Sequence, residues 1–194
     1  MENNSKMSVG KIVLIIAAVL VVVSVFFGVA SYNNIVKLKE NADSQSSNID
    51  NQLKRRSDLI PNLLNTVKGS AAHETEIIES ISKSREKLAG ASTMSDKAEA
   101  DSDLTNALNR LLVVVENYPD LKANANFTGL MDELSGTENR ISVARKDYND
   151  AAVQYNQKIK YFPTLIIARL CGFESMDYFK ASETDKEVPD VKFD

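Results

Sequence analysis

Between residues 12 and 30 the chain reads IVLIIAAVLVVVSVFFGVA, without a charge and with Ser24 as its one hydroxyl. As a helix this run rises about 28 Å, close to the thickness of a bilayer's hydrocarbon core. Lys11 precedes it, and Tyr32, Lys37 and Lys39 follow at interfacial distances. Gly28-Val29-Ala30 offers a small-x-small cleavage pattern, so a signal peptide is the competing reading. The run is longer than the usual apolar region of a signal peptide, and helical pattern continues past it unbroken. Residues 12–30 are therefore expected to stay as a transmembrane anchor in the lipid bilayer, behind a short segment 1–11.

The rest of the chain divides into a helical region, 31–170, and a tail, 171–194. In the first stretch Ile35, Leu38, Ala42, Ile49, Leu53 and Ile60 recur at helical steps, with Arg56 on the same stripe. Asp50, Lys54 and Asp58 follow one another at i,i+4 on an adjoining face. The segment QLKRRSDLIPNLL then places three cations before Pro61, and proline removes a donor and restricts its predecessor. The expectation is a corner there between two helices, with Ser57 as a candidate cap. A second helix carries Leu63, Leu64, Val67, Ile77, Ile78, Ile81 and Leu88 and ends near Gly90. Ser95 or Asp96 would cap a third, holding Leu104, Ala107, Leu108, Leu111, Leu112 and Val115, which Pro119 closes or bends. A fourth, expected to be the longest, runs from Phe127 through Leu130, Leu134, Ile141, Ala144, Tyr148, Ala151 and Tyr155 to Ile159. That stripe has the spacing of a coiled-coil-like bundle seam. Strand-like alternation is nearly absent, no internal repeat stands out, and a short amphipathic piece covers 164–170. The fold class is all-α: one transmembrane helix followed by an antiparallel four-helix bundle.

Charge and composition narrow the chemistry. Lys plus Arg number 23 against 27 Asp plus Glu, a balance that disfavours a nucleic-acid partner. His73 is the single histidine and lies in the polar stretch SAAHETE, where an exposed residue is expected; Cys171 is the single cysteine and reads as a small buried hydrophobe. With so few ligating side chains, no metal site, cofactor or nucleophile–base pair can be nominated. Arg56, Glu116, Glu138, Asn139, Arg140 and Arg145 lie close to the apolar seams. Either they flank the core with their heads in water, or some pair internally, Arg56 with Glu116 or with Glu138.

Four ordered stretches, YNNIVKLKE, IDNQLKRRSDLIPNLLNTVKGSAAHE, VVENYPDLKANANF and ELSGTENRISVARKDYNDAAVQYNQKIKYFP, resemble the successive motifs of the LemA family of bacterial membrane proteins. The likeness runs from Tyr32 to Pro163, and the VPDVKF near the chain's end is similar to the family's C-terminus. The resemblance implies one transmembrane helix and an antiparallel helical bundle, and it brings no enzymatic activity with it. It picks out Arg55, Arg56, Asp58, Pro61 and Asn62, then Tyr118, Pro119, Lys122 and Asn124, then Glu138, Asn139, Arg140, Arg145, Tyr148 and Asn149. Family members commonly carry an aromatic residue just before the Ile49–Asp50 pair, where this chain has Gln45-Ser46-Ser47-Asn48.

The functional expectation is an envelope scaffold of the bacterial cell membrane, partnered by another membrane protein or by a second copy. A hydrolase or transferase with a carboxylate site around Glu138 is the alternative. Lys6 and Lys11 on one side nearly balance Lys37 and Lys39 on the other. Only the distant Lys54, Arg55 and Arg56 tip the bundle towards the cytoplasm.

Overall fold

The computed structural model describes residues 9–71 and 73–180. They form six helices: α1 (Val9–Ser70), α2 (Thr75–Gly90), α3 (Met94–Val115), α4 (Pro119–Lys122), α5 (Ala125–Lys160) and α6 (Thr164–Leu170). No strand occurs among the described residues. The all-helical expectation holds, and α1 carries the one stretch long and apolar enough to cross a membrane. The VPDVKF ending lies outside the described residues.

The expected corner at Pro61 is absent. α1 continues through it for 62 residues and is longer than the 36-residue α5, which was expected to be the longest. The physical reason is a repaired hydrogen bond. Pro61 has no N–H to give the carbonyl of Ser57, four residues earlier. Arg85 of α2 supplies the missing donor, its Nε lying 3.0 Å from that oxygen. Ser57 is accordingly a buried mid-helix residue and no cap. Leu63, Leu64 and Val67 belong to α1, and the turn into α2 falls after Ser70, held by Ala71 N–H to Val67 O at 2.7 Å.

The third helix is capped by Thr93, not by Ser95 or Asp96. Thr93 Oγ1 accepts from Asp96 N–H at 3.1 Å, and Asp96 Oδ2 accepts from Thr93 N–H at 3.3 Å. This reciprocal capping box satisfies two donors that a bare helix start would leave open. Pro119 opens the short α4, where a proline ring costs nothing because first-turn amides have no intrahelical partner. Asn124 caps α5 through Oδ1, which accepts from the amides of Asn126 and Phe127.

The described residues fall into two compact units, 9–41 with 153–176 and 42–152 with 177–180. In the first, Ile35, Tyr155, Ile159 and Ala168 form the core, with Leu38, Phe173 and Met176 packed against it. In the second, α1 contributes Ile49, Leu53, Ile60, Leu63 and Val67, α3 contributes Leu104, Leu108 and Leu111, and α5 contributes Leu134 and Ile141. α2 adds Ile78, Ile81 and Leu88.

Candidate functional site

The helical stripe that buries Leu53 and Ile60 also turns Arg56 inward, leaving it 1% exposed. Its Nη1 donates to Asp101 Oδ1 at 2.5 Å, and its Nη2 to Thr105 Oγ1 at 2.9 Å and Glu138 Oε2 at 3.3 Å. One planar fork thus ties α1 to α3 and α5. Asp101 is buried too, whereas Glu138 is half exposed. Thr105 completes the group by donating to the Asp101 carbonyl at 3.0 Å. Among the described residues, the buried atoms Arg56 Nε and Gln52 Oε1 have no hydrogen-bond partner.

The Glu138 pairing matches one of the two expected alternatives. Glu116 is instead on the surface, bonded to Lys122 at 2.6 Å. Sequence reasoning missed Asp101, although its signal was present: residues 101, 104, 108, 111 and 115 follow helical steps, so Asp101 occupies the apolar stripe of α3 just as Arg56 does on α1.

The remaining predicted residues are scattered. Arg55 donates to Glu133 at 2.7 Å across half-exposed surface. Asp58 meets Lys54 at 3.8 Å, but Asp50 turns to Lys97 of α3, so the expected i,i+4 relay has only its second link. Pro61 and Asn62 are exposed on α1, as are Asn139 and Arg140 on α5. Tyr118 donates its hydroxyl to Glu74 Oε1 at 2.7 Å, and that bond raises the phenol's pKa above its ordinary value. Arg145 stacks 4.8 Å over the ring of Phe179, a cation–π contact. Lys87 reaches both Glu99 and Asp103 at 2.7 Å, and these hydrogen bonds raise its pKa. His73 is exposed, as expected. Cys171 is also exposed, contrary to expectation: it caps the end of α6 beside Gly172, whose φ of 71° turns the chain, and so faces away from the core.

Tyr148 belongs to an unforeseen pattern. In the second unit its hydroxyl donates to Asp177 O at 2.6 Å, while Asn149 exchanges two hydrogen bonds with the backbone of Phe179, each 2.9 Å. Burial raises the Tyr148 pKa, and the carboxylates of Asp177 and Asp43 push it the same way. In the first unit the same chemistry recurs: Tyr155 donates to Glu174 O at 2.9 Å, and Asn156 exchanges two bonds of 2.8 Å with Met176. An asparagine amide offers a donor and an acceptor side by side, as a peptide unit does, so it pairs with extended backbone whatever the side chains. The signal was a Tyr-Asn dipeptide repeated seven residues apart, in DYNDAAVQYNQ.

Among the described residues, no group of three or more His, Cys, Asp or Glu is placed to hold a metal ion. A surface hollow of about 480 Å³ lies between α1, α2 and α3, lined by Asp50, Lys54, Asp58, Arg85 and Lys97 among others, but by neither Arg56 nor Glu138.

One apolar span joined to polar helices defines a membrane-associated helical protein. The chain belongs to the LemA family, whose model matches residues 45–193. It is similar to the magnetosome protein MamQ 2 of Paramagnetospirillum magneticum, with 30% identity over 77% of this chain and 64% of that protein. MamQ of Magnetospirillum gryphiswaldense is 28% identical over 76% of this chain and 64% of its own length. Protein LemA of Metamycoplasma hominis is 26% identical over 83% of this chain and 74% of its own. The chain thus spans just under two thirds of the length of the magnetosome relatives it matches.

Proposed function

We propose that this protein is a membrane-tethered scaffold of the bacterial cell membrane, working through its surfaces and without a cofactor. Residues 12–30 hold it in the bilayer, and the second half of α1 forms an antiparallel four-helix bundle with α2, α3 and α5. Within the second unit the pairing order supports that arrangement. Asp43 acts on Tyr148 while Arg55 meets Glu133, and Glu74 meets Tyr118 while Lys87 meets Glu99. Partner positions fall as chain position rises in both cases.

The observation that carries the functional reading is the closure of the Arg56 cluster. The most strongly polar buried group in the bundle turns both terminal nitrogens to Asp101, Thr105 and Glu138, with Nε alone left unpaired, and lines no part of the neighbouring hollow. Such a group sets helix register and presents nothing to a substrate. What remains for partners is the mixed-charge exterior, and tethering raises the effective concentration of any partner in the same membrane, a second copy included. Gentle crosslinking and affinity capture from detergent-solubilised membranes test this. A partner or a second copy should be recovered with the full chain and lost when residues 1–30 are deleted. Recovery of neither would overturn the scaffold.

The bundle is assigned to the cytoplasmic side on the strength of Lys54, Arg55 and Arg56. Ser92→Cys on a Cys171→Ser background should react with an impermeant thiol reagent only after permeabilisation. Labelling in intact cells would reverse the assignment.

A further inference from the structure

The elbow between α5 and α6, with α6 itself, wears its chemistry inside out. Thr164 and Ala168 are buried, and the Thr164 hydroxyl lies 2.6 Å from Lys158 O, near the end of α5, and 2.8 Å from Tyr161 O, just past it. The outward positions are apolar: Phe162 is 80% and Leu170 78% exposed, with Tyr161 and Ile166 also outside. Ile166 and Leu170 are four residues apart on α6 and so share one side of it, and Phe162 is exposed in the turn just before the helix. A surface helix in water shows the reverse pattern.

Its neighbour on α1 explains the inversion. A Cβ built on Gly28 would lie 3.7 Å from Ile167 Cδ1, and the rings of Tyr32 and Phe173 stand 5.7 Å apart. Ser31, small and buried, belongs to the same close approach. α6 therefore packs at the level of the last turn of the apolar span, where Phe26, Phe27 and Val29 are themselves exposed. The outward face of the elbow continues the surface that a spanning helix gives to lipid. Lys160 and Arg169, both exposed, lie at its edge with stems long enough to reach headgroup phosphates.

We propose that residues 161–170 form a second, interfacial membrane contact, with Phe162, Ile166 and Leu170 entering the boundary between headgroups and acyl chains and Tyr161 at its polar edge. This rests on residues 12–30 spanning the bilayer, as proposed above. An interfacial helix of this kind buries its apolar face about 5–10 Å into that boundary, and an aromatic flank at the end of a span is where such rings settle.

The chain has no tryptophan, so a single introduced one is a clean reporter. Phe162→Trp and Leu170→Trp are made in the full chain and reconstituted in vesicles of phosphatidylcholine and phosphatidylglycerol carrying acyl-brominated lipid. Leu20→Trp reports on the span, and Val113→Trp on an exposed site of α3. Emission at positions 162 and 170 should be blue-shifted and mostly quenched, as at position 20, while position 113 stays water-like and unquenched. Should 162 and 170 behave like 113 while 20 is quenched, the elbow is in water and the proposal is overturned with the span intact. Blue-shifted emission at 162 and 170 that brominated lipid leaves unchanged would mean a protein neighbour covers the elbow, and overturns it equally. An unquenched position 20 would remove the span and the elbow together.

Discussion

Along the first stretch of α1, from Ile12 to Val29, every large apolar side chain is exposed, on all sides of the helix. Along the second, from Ala42 to Val67, one stripe is buried and the remaining faces carry Asp50, Lys54, Arg55 and Asp58 in solvent. With residues 12–30 in the bilayer, as proposed above, a single helix meets two solvents. In lipid the backbone must satisfy itself, which makes a helix of a valine- and isoleucine-rich run that would favour a strand in water. Ser24 obeys the same demand by donating to Leu20 O at 2.8 Å. In water the second stretch is held by what packs on it, and it tolerates a buried cation and a proline because α2, α3 and α5 bring partners to both.

Removing the cation's side of that bargain should have the largest effect. Arg56→Met leaves Asp101 buried and unpaired, and denaturant unfolding of the full chain in detergent should show a loss of about 3–5 kcal/mol. The double variant with Asp101→Leu should recover much of it, since an apolar pair replaces the ionic one. A small effect of Arg56→Met would mean the cluster contributes nothing to register.

Next comes a charge placed in each stretch. Leu20→Asp should disfavour membrane insertion by about 2.5–3.5 kcal/mol, read as a shift from the membrane to the soluble or degraded fraction. Asn51→Lys, on the exposed side of the second stretch, should alter stability by no more than about 0.5 kcal/mol. Equal tolerance at both positions would erase the contrast between the two solvents.

Pro61 gives a third, smaller test. Arg85→Met strips the Ser57 carbonyl of its donor and should cost about 1–3 kcal/mol. Adding Pro61→Ala returns an intrahelical N–H to that carbonyl, so the double variant should be more stable than Arg85→Met alone. Strict additivity in the cycle would show that the arginine does not serve the proline.

The smallest effect lies in alkali. Tyr118, through its bond to Glu74, and Tyr148, through burial, both have raised pKa values in the folded chain. A raised acid pKa means the neutral form is favoured by folding. That stability is fully present below the ordinary tyrosine value of 10.0 and is lost as pH climbs through the raised values. Tyrosinate absorbance should rise at higher pH in the folded chain than in denaturant, and Tyr118→Phe with Tyr148→Phe should remove the latest part of the rise. Superimposable titrations would exclude both environments.

Much of this was legible without coordinates, and the division has a physical basis. Hydrophobic length and period are properties of neighbours in the chain. The apolar run of 12–30, the stripe from Phe127 to Ile159, the end of α2 at Gly90 and the place of Arg56 on the α1 stripe could therefore be read directly, though not whether Arg56 points inward. The capping box at Thr93, the position of Asp101 on the α3 stripe and the repeated Tyr-Asn pair are equally local features of the sequence. The rest was non-local. Whether Pro61 breaks a helix depends on Arg85 reaching the Ser57 carbonyl from another helix. Which acid neutralises Arg56 depends on the approach of α3, and whether Cys171 is covered depends on how the chain turns at Gly172. Periodicity determines which face of a helix is apolar, but a hydrogen-bond partner forty-five residues away is determined by packing, because only packing brings the two ends within 2.5 Å.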